Sequence, residues 1–162
     1  MKILYRVFLL VILSWTSSFS QSISDKFYSI GWNASSSSIK TLFNDKTFQD
    51  KDFSELKEIY FIDKIDSTSF KVGFFYTIDG TLSAKAINNI DKNANSGKGF
   101  FNYFKNLTIK KYGENYEKKN VAGVNILFWN YNKDTIVMLS QKDEKASLTV
   151  SKKKDPNNLK KE

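Results

Sequence analysis

Phe70-Lys71-Val72-Gly73-Phe74-Phe75-Tyr76-Thr77-Ile78-Asp79-Gly80 reads as a β-strand running into a turn. Phe70, Val72, Phe74, Tyr76 and Ile78 recur at every second position, so a pleated strand places them on one face. Asp79-Gly80 then predicts a two-residue hairpin, because both turn residues must take positive φ. Thr81–Ile90 is the returning strand, and Glu58–Ile65 upstream is a third.

Outward from this hairpin the pattern repeats. Ile39, Leu42 and Phe43 have helical spacing, and Asn33 or one of Ser35–Ser38 can cap free amides, which predicts a helix over about 36–46. Thr47–Glu55 is read as a polar loop holding Phe48 and Phe53. On the other side, Phe100, Phe101, Phe104, Leu107 and Lys111 share one helical face. Lys110 and Lys111 oppose the helix dipole, and Gly113 can take the left-handed closing position. Asn93–Gly99 before it reads as a flexible loop. Three strands follow, Ala122–Tyr131, Thr135–Gln141 and Ala146–Lys152, with turns at Asn132–Asp134 and Lys142–Lys145.

These elements make an α+β fold: two helix-plus-three-strand units forming a six-stranded antiparallel sheet with the helices on one face, a two-layer sandwich. The element order is similar to the tandem helix-plus-three-strand units of the β-lactamase-inhibitory-protein and outer-membrane-assembly small-protein folds. That resemblance covers most of the chain after residue 20, carries no specific motif and implies a fold alone.

Residues 1–20 read as a signal peptide: Lys2 and Arg6, the apolar run Val7–Leu13, then Ser18-Phe19-Ser20, with cleavage between Ser20 and Gln21. Ser14, Thr16, Ser17 and Ser18 interrupt the apolar run well short of the ~20 residues a membrane span needs. The domain map is therefore signal peptide 1–20, one α+β domain 21–152 with Ser22–Trp32 as a lead-in packing on the core, and a disordered lysine-rich tail 153–162. About 140 residues suffice for one core without disulfides, and the chain has no cysteine. The expected location is periplasmic or secreted, soluble after cleavage. No span is expected in the mature chain.

Cleavage removes Lys2 and the only arginine, Arg6, and lowers the net charge from +8 to +6. A lysine-only basic domain lacks the side chain suited to bidentate phosphate and guanine contacts, which argues against nucleic acid as a partner. Absence of histidine and cysteine removes Ser-His-Asp triads, thiol nucleophiles and the usual zinc ligands. Asp91–Gly97 begins like a calcium loop but has Ser96 and Asn102 where an EF-hand needs glycine and glutamate. Gly97-Lys98-Gly99 lacks the rest of a phosphate loop. Ser-x-x-Lys occurs three times, at Ser37, Ser54 and Ser151, without its partner motifs. Asn33 and Asn106 open glycosylation-like triplets that match by chance. Asp63 and Asp66 form a carboxylate pair at a turn, where solvation is the ordinary role. The reading is no enzyme, no catalytic residue, no cofactor and no metal site.

What remains is an exported, non-enzymatic domain that binds a cell-envelope or extracellular protein through an uncovered sheet face. Alternation within Ala122–Tyr131 turns either Trp129 and Tyr131 or Ile126 and Phe128 away from the helices, and Phe75, Trp129 and Tyr131 are taken as candidate anchors. The alternatives are a small-ligand or lipid carrier in the cell envelope, and a weak polyanion or membrane-surface binder.

Overall fold

The computed structural model describes residues 22–65, 68–91 and 94–153. The expected signal peptide, 1–20, and the chain beyond Lys153 lie outside the described residues. The chain divides between Ile30 and Gly31 into two compact units. In the first, α1 (Ile23–Ser29) is a helix, within the lead-in to which the sequence assigned no element. The Ser22 hydroxyl accepts the Asp25 amide at 3.4 Å, satisfying one of the donors a helix start leaves open. Phe27 meets Tyr28 edge-on at 5.6 Å.

The second unit is α+β, with helices α2 (Ser36–Leu42) and α3 (Ala94–Tyr112). Its strands are β1 (Gln49–Asp52), β2 (Leu56–Ile65), β3 (Thr68–Thr77), β4 (Leu82–Asn89), β5 (Glu117–Val121), β6 (Val124–Asn130), β7 (Thr135–Lys142) and β8 (Lys145–Lys152). They form one antiparallel sheet in the order β1-β2-β3-β4-β8-β7-β6-β5. The α+β class and the antiparallel sheet stand, but the sheet has eight strands instead of six, so each half of it has four strands instead of three.

The two unexpected strands are β1 and β5, the sheet edges. Every residue of both is exposed, so neither shows apolar alternation. Charged edge strands suit an edge that must not pair with another chain. Phe48, just before β1, meets Phe61 edge-on at 5.2 Å, and Tyr116, just before β5, packs tilted against Trp129 at 4.8 Å.

Those contacts occupy matching places. With the Ala86–Thr149 pair of β4 and β8 as the crossing point, the ladders step outward alike on both sides. Lys85 corresponds to Leu148, Phe74 to Leu139, Ile59 to Leu127, Phe61 to Trp129 and Phe48 to Tyr116. The core lies on the face of these residues. Phe43, at the end of α2, packs on Phe61 at 5.0 Å and Phe74 at 6.0 Å. On the other half, α3 lies against β7 and β8, with Phe100 and Phe104 buried and 4.5 Å apart.

Two local readings change. Asp79-Gly80 does close a hairpin, but only Gly80 takes positive φ, at 82°. Thr77 donates to the Thr81 carbonyl at 2.9 Å, leaving a three-residue loop with glycine in its left-handed place. Ile78 therefore leaves the core face and is 82% exposed. The paired positive-φ turn is instead Ala122-Gly123, at 50° and 79°.

The second change is that α3 starts at Ala94, inside the segment read as a loop. Asn89 donates to the Glu144 carbonyl at 2.8 Å and to Ser96 Oγ at 3.3 Å, tying the first turn of α3 to the β7–β8 turn. A Cβ on Gly97 would stand 2.4 Å from the Glu144 carbonyl oxygen, whereas one on Gly99 would meet nothing within 4 Å. Gly97→Ala is therefore expected to lower stability by about 1–3 kcal/mol through overpacking. Gly99→Ala, in the same helix, is expected to raise it by up to about 1 kcal/mol. Urea unfolding of the two variants checks the opposed signs.

Candidate functional site

Among the described residues from Gly31 onward, both helices lie on the core face, leaving the other face of the sheet without a second layer. Residues on this open face follow from the register. On the second half they are Ile126 and Phe128 of β6 and Ile136 and Met138 of β7, with Phe128 paired to Met138. All four are half-buried. Phe75, on β3, lies on the same face and is also half-buried.

The three anchors expected from sequence do not share a surface. Phe75 is on the open face, as required. Trp129 is not: it is 1% exposed, on the core face, and its indole Nε1 donates to the Gly113 carbonyl at 2.9 Å. This ties β6 to the end of α3, and losing such a ring from a core costs about 3–5 kcal/mol. Tyr131 points the same way as Trp129 and meets Tyr112 of α3 edge-on at 4.8 Å, while remaining 49% exposed. Of the two alternations open to the strand, Ile126 and Phe128 are the pair turned away from the helices.

On the first half of the open face the matching places are polar. Where the second half has Ile126, Phe128, Ile136 and Met138, the first has Glu58, Tyr60, Lys71 and Gly73. Glu58 is 1% exposed although it stands on the open face. Its carboxylate lies over Gly73, where a Cβ would come within 2.6 Å of Oε1. Lys71 Nζ closes over it at 2.7 Å from Oε1 and 2.9 Å from Oε2, and also sits 4.4 Å from the Tyr60 ring centroid. Glycine at 73 is what gives the carboxylate its niche, and the aliphatic stem of Lys71 can shield it. A lysine caps the corresponding ring of the second half too, Lys119 lying 5.0 Å above Phe128.

The core face carries a second ionisable group out of keeping with its surroundings. Lys85, 3% exposed, stands where the other unit has Leu148. Burial lowers its pKa to about 7, and the Lys111 ammonium adds to the shift. Its ammonium lies 5.9 Å from the Trp32 ring, whose Nε1 donates to Thr135 Oγ1 at 3.2 Å.

The remaining sequence candidates have structural partners. Asp63 pairs with Lys46 at 2.7 Å, and Asp66 lies outside the described residues. Asp91 accepts the Ser69 amide at 2.8 Å. Two clefts open to solvent. One, of about 440 Å³, lies beside Phe53, Leu56 and Ile78; the other, of about 470 Å³, lies beside Asn89, Lys142 and Glu144. Among the described residues no three His, Cys, Asp or Glu side chains are grouped to hold a metal ion. No family model, curated protein or solved structure matches the chain.

Nothing in the local sequence pattern singles out Glu58, Lys71 or Lys85. A glutamate and a lysine alternating with Ile59, Phe61 and Val72 look like the wet side of a strand. Only Gly73, small and in mid-strand, signals that something lies close upon it.

Two stability tests follow. Glu58→Gln is expected to cost about 1–3 kcal/mol by stripping the buried pair of its charge partner. Replacing Glu58 and Lys71 together by isoleucine, the residue at both matching places, should recover most of that in urea unfolding. For Lys85, the unfolded chain holds its proton up to about pH 10.5 and the folded chain only to about 7. The charged form thus weighs fully against folding below pH 7, and stability rises above it by up to about 1.4 kcal/mol per pH unit. Lys85→Leu should raise the melting temperature most near pH 6, with the gain shrinking towards about pH 10 as linkage requires.

Proposed function

We propose that the protein is an exported, non-enzymatic binding domain that engages another protein through the open face of its sheet. One observation carries this reading. Ile126, Phe128, Ile136 and Met138 gather on a face that neither α2 nor α3 covers, and contiguous apolar groups left at a surface mark interaction sites. Phe75 lies on the same face in the other half, with Ala84 of β4 and Ser151 of β8 between it and Ile136. The anchors are thus Phe128 and Phe75. Trp129 and Tyr131 act on the core side, in holding the sheet to α3. Export rests on the character of residues 1–20, and the non-enzymatic reading on a chain without histidine or cysteine.

A carrier would enclose its ligand in an apolar cavity, whereas the two clefts found among the described residues open to solvent and are not lined by Ile126, Phe128, Ile136 or Met138. Protein binding is therefore the better-supported reading.

A photoreactive benzoylphenylalanine at position 128, irradiated in cells that make the protein, should give a discrete protein adduct, and the same group at Ser37 should not. With the partner so recovered, Phe128→Ala should weaken binding at least about tenfold, as loss of a central aromatic anchor does, with the circular dichroism unchanged. An adduct at Ser37 but not at 128, or unaltered affinity in Phe128→Ala, would contradict the proposal.

A further inference from the structure

On the core face, the buried amine of Lys85 lies under a short stretch of chain that is lightly held. Lys85 stands on β4, between β2 and β3, on which Phe43 packs at the end of α2, and β7 and β8, against which α3 lies. Its ladder neighbours, Phe74 of β3 and Val150 of β8, are buried and carry no charge. Residues 31–34 run above it, with the Trp32 ring 5.9 Å from the ammonium. Among the described residues, two side-chain hydrogen bonds tie this stretch to the sheet. Trp32 Nε1 donates to Thr135 Oγ1 at 3.2 Å, and Tyr76 Oη donates to the Ala34 carbonyl at 3.3 Å, both long for their kind. Trp32 itself is half-buried. The strands beside Lys85 are held by full ladders on both sides, so residues 31–34 are the part of its cover that can yield without the sheet unfolding.

We propose that residues 31–34 are a proton-linked strap, closed over Lys85 when its amine is neutral and lifted when the amine is an ammonium. Closing the strap takes hydration from the amine, which costs an ammonium far more than a neutral amine. At 5.9 Å the indole stands at the outer limit of a cation–π contact and returns little of that cost. From α3 the Lys111 ammonium faces Lys85 and adds like charge, while α2 turns Ile39 inwards. The Tyr76 hydroxyl that holds the strap is pushed up by burial to about 12, so it keeps its proton throughout. An uncovered amine holds its proton towards about pH 10.5, and the covered one only to about 7. Lifting is therefore favoured to a full and constant extent below pH 7, and loses about tenfold per pH unit from 7 towards 10. A lifted strap opens the core face at β4, with the Lys85 amine and the Thr135 hydroxyl at the opening. The strap is on the opposite face of the sheet from the proposed binding surface and does not rest on that reading.

Fluorotryptophan labelling of the full chain reads the strap directly, the Trp32 signal being identified by its loss in Trp32→Phe. Broadening of the Trp32 fluorine resonance by a neutral, water-soluble nitroxide should be level between pH 6 and 7 and fall at least about tenfold between pH 7 and 9. Trp129, 1% exposed, should stay sharp over the whole range. Lys85→Met, neutral at every pH, should keep the Trp32 resonance sharp from pH 6 to 9. Broadening of Trp32 that does not change with pH, or a fall that survives in Lys85→Met, would overturn the proposal. So would Trp129 broadening in step with Trp32, which would mean that the core opens as a whole and no strap moves by itself.

Discussion

The antiparallel pairing of β4 with β8 is the contact on which the rest of the structure depends. Each half of the sheet by itself is a four-stranded meander with a polar outer edge and an unpaired inner one. Joining the inner edges makes one sheet, removes two exposed edges and brings the apolar faces of both halves onto the same side. Ile87 and Leu148, paired across this seam, are fully buried. Charge at the remaining edges, in β1 and β5, then leaves the seam as the pairing that apolar burial rewards.

The seam also gives a frame in which the halves can be compared place by place, and the differences are concentrated. The ring pairs Phe48–Phe61 and Tyr116–Trp129 match, as do the aliphatic ladders behind them. Against this, Lys85 replaces leucine on the core face, and Glu58 and Lys71 replace isoleucine on the open face. A buried charge that its sister unit does without is a cost to folding unless paired. The Glu58 niche meets that cost with Lys71, the Tyr60 ring and the bare backbone of Gly73. On the open face the difference is local: Glu58, Lys71 and Gly73 close over one another where the second half has Ile126, Ile136 and Met138.

The sequence made the α+β class and six of the strands readable, because β3 and β8 alternate, β6 and β7 are apolar runs, the Asp79-Gly80 turn announces β4, and α3 repeats its phenylalanines at helical spacing. It did not disclose β1 and β5, whose exposed residues have no periodicity to read, nor the first turn of α3, which is fixed by Asn89 and the Glu144 carbonyl from distant parts of the chain. The same limit governed the site. Alternation in β6 left two choices of outward pair, and only the position of α3, bonded through Gly113 to Trp129, decides for Ile126 and Phe128. Phe75 was legible as an open-face ring because its neighbours Phe74 and Tyr76 belong so plainly to the core.

The account turns on one face of the sheet being covered and the other open. The most direct measurement is the broadening of methyl resonances by a water-soluble nitroxide, comparing Met138 on the open face with Ile87 on the core face. The account predicts strong broadening at Met138 and little at Ile87. Equally weak broadening at both would mean that a second layer covers the open face, and would contradict it.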